Sequence, residues 1–193
     1  MKEAIEKTVA TYGVIHAALP IAGAFLPVFT LTDNGPMDMV SYRKTIELNL
    51  FGVVHVVKYA AMAMSKNQPV GEFKEKGVII FVSSVVAYEG GKSTMAYGAS
   101  KAALNGMVLP MARDLGKYSI RVAAIAPGIM SSPMTDSLSE PERKALTKDT
   151  PMDRMGHPTE FAHMMGAMIE NSYINGVTLR LDGAIKLSND NGL

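Results

Sequence analysis

The sequence contains no cysteine. A disulfide-bonded scaffold and a thiolate-ligated zinc site are therefore both excluded. An excess of one charge is also missing, because 19 lysines and arginines stand against 18 aspartates and glutamates, and the charges are interspersed along the chain. Proteins that bind nucleic acids or anionic membrane surfaces usually carry a basic cluster, so neither kind of partner is expected here.

A long, uninterrupted hydrophobic run is absent as well. The longest apolar stretch, residues 14–29, is broken by two prolines, a histidine and a glycine and is too short to cross a bilayer. The first 13 residues carry two glutamates and no apolar run. Neither a secretory signal nor a transit peptide is therefore expected, and the sequence alone does not indicate a compartment.

What is present is enough apolar sequence to build a core. The chain has 193 residues, of which 48% are hydrophobic. A chain of this length buries roughly 70% of the surface that it exposes when unfolded. No internal repeat, low-complexity tract or flexible linker interrupts it, which predicts a single domain over residues 1–193.

Apolar strands alternate with helices along the chain. Several short runs are apolar at every position, which is typical of parallel strands covered by helices on both faces. Between them, apolar residues recur at helical spacing. The predicted fold class is therefore α/β, a parallel sheet with helices on both faces. The predicted strands are 14–19, 77–83, 122–126 and 177–181, and the predicted helices are 2–12, 39–64, 94–115, a short one from 139, and 158–170.

A tyrosine is followed by a lysine four residues later in two places. Tyr88 and Lys92 flank two glycines, which disfavour a helix, whereas Tyr97 and Lys101 lie in an alanine-rich helical stretch. Residues four apart in a helix share a face, so only the second pair is expected to lie side by side. An ammonium beside a phenol favours the phenolate, which makes a tyrosine usable as a general acid and base.

Ser84 stands 13 residues before Tyr97, directly after an apolar strand. Ligands of parallel sheets gather at the carboxyl ends of the strands, so this hydroxyl is expected in the same crevice as Tyr97. Together with Lys101 and with Asn49 in Leu-Asn-Leu-Phe-Gly, these residues resemble the catalytic tetrad of the short-chain dehydrogenase/reductase family.

Further family marks follow in order. Ala126-Pro-Gly128 with Ser132 resembles the loop that closes over the nicotinamide, and residues 175–183 resemble the last strand of the family. The resemblance covers essentially the whole chain. It makes the fold a Rossmann-like, doubly wound sheet.

The resemblance implies an NAD(P)-dependent oxidoreductase that interconverts a hydroxyl and a keto group. Tyr97 would exchange a proton with the substrate oxygen, Ser84 would hold that oxygen, and Asn49 would anchor a proton-relay water. Lys101 would lower the pKa of Tyr97 and hold the nicotinamide ribose. The positions that the resemblance assigns to NAD or NADP are Ala22, Gly23, Tyr97, Lys101, Pro127, Gly128 and Ser132.

The substrate implied by resemblance is a lipid-like small molecule. Residues 85–90, 109–115 and 181–185 are similar to the branch of the family that acts on 3-hydroxyacyl-CoA and hydroxysteroids, which leaves an intracellular, mitochondrial location open. Four methionines surround the region where the family binds substrate, and methionine adapts to apolar ligands. The four are Met130, Met134, Met152 and Met155. Packing of the hydrophobic core explains these methionines equally well.

A metal site is not expected. His157, Glu160 and His163 cluster along the chain, but their spacing does not bring three ligands together as an i, i+4 pair would. Exposed helix residues are the better interpretation.

Two departures from the family pattern concern the cofactor. No glycine-rich turn follows a strand near the start, so the first strands and the phosphate-binding segment are expected to be missing from a truncated, partial domain. Where the family has Asn-Asn-Ala-Gly or Asn-Cys-Ala-Gly, this chain has Pro20-Ile-Ala-Gly23, which removes a backbone donor.

The sequence leads to two predictions about partner chains and to an alternative function. The strand at 14–19 would expose an unpaired edge, so we expect another chain to cover it unless the natural protein is longer. By resemblance, the helix that carries Tyr97 and the long helix before it would form a homo-oligomer interface. The alternative function is a non-catalytic subunit, derived from a dehydrogenase, within a larger assembly.

Overall fold

A computed structural model describes residues 1–187, and the side chain of Met134 lies outside that description. The strands are β1 (Ala17–Ala18), β2 (Leu31–Thr32), β3 (Gly35–Pro36), β4 (Gly77–Val82), β5 (Ile120–Pro127) and β6 (Thr178–Leu181). Four of them form a parallel sheet in the order β1-β4-β5-β6, and β2 and β3 form a separate antiparallel pair. The predicted fold class is confirmed.

Every predicted helix is present, with ends within one residue of those expected. The helices are α1 (Lys2–Tyr12), α2 (Met39–Ile46), a π-helical segment (Glu47–Phe51), α3 (Gly52–Met64), α4 (Val86–Glu89), α5 (Met95–Gly116), α6 (Pro133–Asp136), α7 (Glu140–Thr147) and α8 (Pro158–Glu170). At the start of α7, the Ser139 backbone N–H donates to Glu142 Oε2 at 2.8 Å, as the capping-box pattern indicates.

Alternate residues of the central strands face two different cores. Ile79 and Phe81 of β4 pack with α3 and α5 on one side, whereas Val78 and Ile80 pack with Met165 and Met168 of α8 on the other. Because both faces are buried, the strands are apolar throughout. This arrangement also fixes the carboxyl ends of β4, β5 and β6 at one edge of the sheet.

The first strand is shorter than predicted. Residues 14–19 were expected to be extended, but only Ala17 and Ala18 pair with β4, and Val14 is 42% exposed. Within residues 1–187, β1 has a partner on one side alone. The Asn67 side chain links the residues just before β1 and β4 in place of backbone hydrogen bonds. Its Nδ2 donates to Ile15 O at 2.8 Å and to Lys76 O at 2.9 Å.

The helical run Met39–Met64 is long and apolar enough to cross a membrane by length and composition. Four of its apolar residues lie in the core against the sheet, which is the usual reason for such composition in a core helix. They are Val53, Val57, Ala60 and Met64.

Arg121 is a buried cation that sequence patterns did not reveal. Its guanidinium donates to the carbonyls of Met168, Ile169 and Ile174 at 2.6–2.9 Å, and its Nε donates to Glu75 at 2.7 Å. Two of these carbonyls, those of Met168 and Ile169, belong to the last turn of α8, where carbonyl groups have no intrahelical partners.

Replacing Arg121 with alanine removes these donors from buried carbonyl groups. We expect Arg121→Ala to lower the free energy of unfolding by about 3 kcal/mol, measured by urea denaturation. Arg143→Ala is the control, because the Arg143 side chain is 42% exposed and pairs with an exposed Glu140. Its effect should stay within about 0.5 kcal/mol, and equal losses in both variants would contradict the role given to Arg121.

Candidate active site

Asn49 is fully buried in the π-helical segment. Its Oδ1 accepts a hydrogen bond from the backbone N–H of Ala24 at 2.9 Å, and its Nδ2 donates to Ala24 O at 2.9 Å and to Ser100 Oγ at 3.2 Å. The amide thus ties the loop after β1 to the long helix and to α5. The role of Asn49 as a water anchor stays a prediction.

Ser84 lies two residues beyond β4, at the carboxyl edge of the sheet. It is 7% exposed, and its Oγ accepts a hydrogen bond from the backbone N–H of Val86 at 3.2 Å. The hydroxyl of Tyr97, in the first turn of α5, is hydrogen-bonded to Ser84, and the Phe25 ring packs edge-on against Tyr97. Two hydroxyls that can contact one substrate oxygen are therefore adjacent.

Lys101 lies one helical turn after Tyr97 and is 4% exposed. Its Nζ donates to Val82 O at 2.8 Å and is 5.5 Å from the centre of the Tyr97 ring. Burial lowers the pKa of Lys101 to about 8. A lysine ammonium has three donors, so the group can make further hydrogen bonds besides the one to Val82.

Burial and a hydrogen bond act on the pKa of Tyr97 in opposite directions. Burial raises the pKa of Tyr97, and the hydrogen bond with Ser84 offsets part of that rise. Desolvation is the larger cause, and the Lys101 ammonium is bound to Val82 O and lies over the ring. Tyr97 is therefore a protonated phenol, ready to donate. That Lys101 lowers the pKa of Tyr97 stays a prediction.

The second Tyr-Lys pair is separated as expected. Tyr88 belongs to the short helix α4, is 49% exposed, and packs its ring under the guanidinium of Arg180. Lys92 lies beyond that helix and is exposed. Only Tyr97 and Lys101 share a helix face beside Ser84.

Two loops border the tetrad at the carboxyl edge of the sheet. Ala22 and Gly23 follow β1 and are exposed, and a Cβ built on Gly23 would lie 3.2 Å from Asn49 Oδ1 and 3.4 Å from Lys101 Nζ. Pro127 ends β5, and a Cβ on Gly128 would lie 2.9 Å from the Cα of Asp182. Both glycines therefore keep space that a side chain would fill.

Ser132 is engaged in helix capping. Its backbone N–H donates to Thr135 Oγ1 at 2.8 Å, and its Oγ accepts from the Thr135 backbone N–H at 3.3 Å. It begins α6 immediately beyond the Gly128 loop. Its contact with a cofactor stays a prediction.

A mostly apolar cavity of about 520 Å³ opens beside Ser84 and Tyr97. Glu142 is the one charged residue that lines it in the described part of the chain. The apolar lining comes from the loop after β1, from α4, from the Gly128 loop and from α7. These residues are Phe25, Val85, Val86, Ile129, Met130, Leu138, Ala145 and Leu146.

Three of the four methionines predicted near the substrate are described. Met130 lines the cavity and also, together with Met152, a second space of about 110 Å³, whereas Met155 borders a polar cleft. The side chain of Met134 lies outside the described residues.

His157 and Glu160 begin helix α8. The Glu160 carboxylate accepts from the His157 backbone N–H at 2.7 Å and pairs with Arg154 at 2.8 Å. These bonds hold the pKa of Glu160 near 2, with Arg154 as the larger cause.

Comparison with known proteins places this geometry in a family. A family model described as enoyl-(acyl carrier protein) reductase matches residues 1–185. The 3-hydroxyacyl-CoA dehydrogenase type-2 of Mus musculus is 38% identical over 179 residues, which cover 91% of this chain and 68% of the relative. The chain belongs to the short-chain dehydrogenase/reductase family.

Solved structures of short-chain dehydrogenases share the fold. The 3-hydroxyacyl-CoA dehydrogenase type-2 from Mycobacterium avium superposes with a TM-score of 0.92 at 31% identity, covering 98% of this chain and 76% of that one. A 7α-hydroxysteroid dehydrogenase, solved with NADH and 7-oxo glycochenodeoxycholic acid, superposes with a TM-score of 0.83 at 28% identity, covering 98% and 71%.

The lowered pKa of Lys101 predicts how stability depends on pH. Between pH 8 and the usual lysine pKa of 10.5, the unfolded chain keeps a proton that the folded chain loses, so the free energy of unfolding rises with pH. We expect the wild type to gain up to about 3 kcal/mol over this range relative to Lys101→Met. Urea denaturation at pH 7.5, 9 and 10.5 measures the free energy of unfolding of both proteins. The same pH dependence in the wild type and in Lys101→Met would contradict the buried ammonium.

Proposed function

We propose that this short-chain dehydrogenase is an NAD(P)-dependent oxidoreductase that interconverts a hydroxyl and a keto group on a lipid-like substrate. The observation that carries the proposal is the placement of Ser84 and Tyr97 together on the wall of the apolar cavity, with the Lys101 ammonium 5.5 Å from the centre of the Tyr97 ring. No described residue favours the alternative of a non-catalytic subunit.

Tyr97 exchanges the proton in the proposed reaction. In the reducing direction its phenol donates to the carbonyl oxygen of the substrate, and in the oxidising direction the phenolate takes the proton from the hydroxyl. Ser84 holds the same oxygen, because it lines the cavity beside Tyr97. A bound nicotinamide supplies or accepts the hydride.

The residues around Lys101 suit a nicotinamide cofactor. The buried ammonium has donors to spare for a hydroxyl-bearing group such as a ribose. Gly23 suits this role because a Cβ there would lie only 3.4 Å from Lys101 Nζ and crowd it. Ala22 on one side, and Pro127, Gly128 and Ser132 on the other, would border the cofactor. A positive charge on Lys101, close to the Tyr97 ring, would favour the phenolate in the oxidising direction.

The cavity supports an apolar substrate. Its lining is mainly aliphatic and aromatic, and among residues 1–187 Glu142 supplies the one charge on it, which is negative. The relatives named above act on, or bind, acyl-CoA and steroid compounds by their names. We therefore propose a 3-hydroxyacyl thioester or a hydroxysteroid as substrate.

The reaction is tested by removing one hydroxyl. Tyr97→Phe should lower kcat at least about 100-fold, because it deletes the proton donor and keeps the ring. The assay follows NADH and NADPH oxidation at 340 nm with a 3-oxoacyl-CoA or a 7-oxo steroid. Tyr88→Phe is the matched control, since it removes the hydroxyl of the other Tyr-Lys pair and should leave kcat unchanged.

Two results would contradict the proposal. One is a Tyr97→Phe variant with wild-type turnover. The other is a wild-type chain that shows no turnover with either cofactor and no binding heat with NADH or NADPH in calorimetry.

We also propose that the chain forms a homo-oligomer through α5. Its exposed residues Ala99, Ala102, Gly106 and Leu109 follow one another at spacings of three, four and three, which forms a single small-residue stripe. Leu48, Phe51 and Met62 of the neighbouring helical run are each nearly half exposed. Such faces allow close approach of two helices.

A charge placed in the stripe should separate the subunits. A Cβ on Gly106 meets no atom within 4 Å, so Gly106→Glu should fold and give a mass near the 20.7 kDa of one chain in light scattering. Gly166→Glu on α8 is the control, since that position is equally open. Wild-type protein of monomer mass, or an unchanged mass for Gly106→Glu, would refute the interface.

A further inference from the structure

A cluster of charged side chains joins α4 to the end of β6. Arg180 Nη1 donates to Glu89 Oε1 at 2.7 Å, and Arg180 Nε donates to Asp182 Oδ2 at 2.6 Å. Glu89 also accepts from Lys186 Nζ at 2.7 Å and from the backbone N–H of Leu187 at 3.1 Å. The carboxylate of Glu89 thus binds β6 at Arg180 and the segment after β6 at Lys186 and Leu187.

The cluster is partly buried and stays charged. The side chains of Glu89, Arg180 and Asp182 are 17%, 28% and 10% exposed. Burial alone would raise the pKa of Glu89, but its hydrogen bonds to Lys186 and Arg180 outweigh burial and hold that pKa at about 2. The carboxylate is therefore ionised throughout the neutral range.

The same cluster touches the loops of the proposed active site. Gly128 packs on the backbone of Asp182, and its N–H donates to Leu181 O at 3.0 Å. The N–H of Val85, the residue after Ser84, donates to Pro127 O at 3.0 Å. The ends of β4, β5 and β6 are consequently in contact. The ion pair of Glu89 and Arg180 joins α4, which follows β4, to β6.

We propose that Glu89 is a positioning residue. It holds Arg180 and Asp182 in place, and through them it fixes the position of the Gly128 loop relative to Ser84. This inference rests on the proposed function, because positioning matters only if these loops serve a reaction. The Glu89 carboxylate binds Arg180, Lys186 and Leu187, none of which lines the cavity or belongs to the tetrad, whereas its backbone N–H donates to Val85 O at 3.1 Å.

The chain contains a matched control for Glu89. Glu75 pairs with Arg121 at 2.7 Å with its side chain 23% exposed, whereas Glu89 pairs with Arg180 at 2.7 Å with its side chain 17% exposed. The Glu75 pair lies at the amino-terminal end of β5 and the Glu89 pair at the carboxyl end of β6. Comparing Glu89→Gln with Glu75→Gln separates loss of an ion pair from loss of positioning.

Two readouts are measured on both variants. Glu89→Gln should lower kcat roughly 10- to 100-fold with little change in KM for the carbonyl substrate, whereas Glu75→Gln should keep both values even if its melting temperature falls equally. Hydrogen–deuterium exchange should be faster at residues 84–88 and 127–132 in Glu89→Gln alone. Arg180→Lys, which keeps the charge and loses the planar fork, should accelerate exchange in the same two segments.

The outcomes separate the two proposals. Exchange rates for Glu89→Gln and Arg180→Lys that match those of Glu75→Gln would overturn the positioning role, as would unchanged kcat in Glu89→Gln. If the wild type shows no turnover, the proposed function fails, and the exchange rates still decide whether Glu89 orders the two loops.

Discussion

The pairing of β4 with β5 is the interaction on which the rest of the structure depends. Six consecutive residue pairs, from Gly77 with Ile120 to Val82 with Ile125, hold the two strands parallel. Parallel strands end at the same edge, so Ser84 and Gly128 leave the sheet side by side. Lys101 is then fixed to this edge by Val82 O, and Tyr97 is carried to Ser84 one turn earlier on the same helix.

The sequence predicted the parts of the site that depend on local spacing. Tyr97 and Lys101 are four residues apart in an alanine-rich helix, and Ser84 follows an apolar strand, so the fold class suffices to bring them together. The pKa of Tyr97 could not be predicted in this way, because it depends on burial and on the direction in which the Lys101 ammonium points. Glu89 and Arg180 were also missed as a pair, since 91 residues separate them and neither belongs to a periodic pattern.

Buried cations in this fold bind backbone carbonyls at the ends of elements. Lys101 binds the last residue of β4, and Arg121 binds the last turn of α8. Carbonyl groups lose their regular partners where strands and helices end, and a cation supplies donors there, although Arg121 also pairs with the Glu75 carboxylate. The same chemistry therefore serves stability through Arg121 and the proposed reaction through Lys101.

The π-helical segment explains how one long helix keeps a single face against the sheet. Thr45, Asn49, Val53 and Val57 are buried and four residues apart, although four residues of a regular α-helix turn about 40° too far. Three such steps would drift by about 120°, and the wider turn at Glu47–Phe51 absorbs that drift. Asn49 is thus in phase with the core because the helix is locally underwound. A helical wheel drawn with one uniform period over residues 39–64 would instead spread these four buried positions over an arc of about 120°.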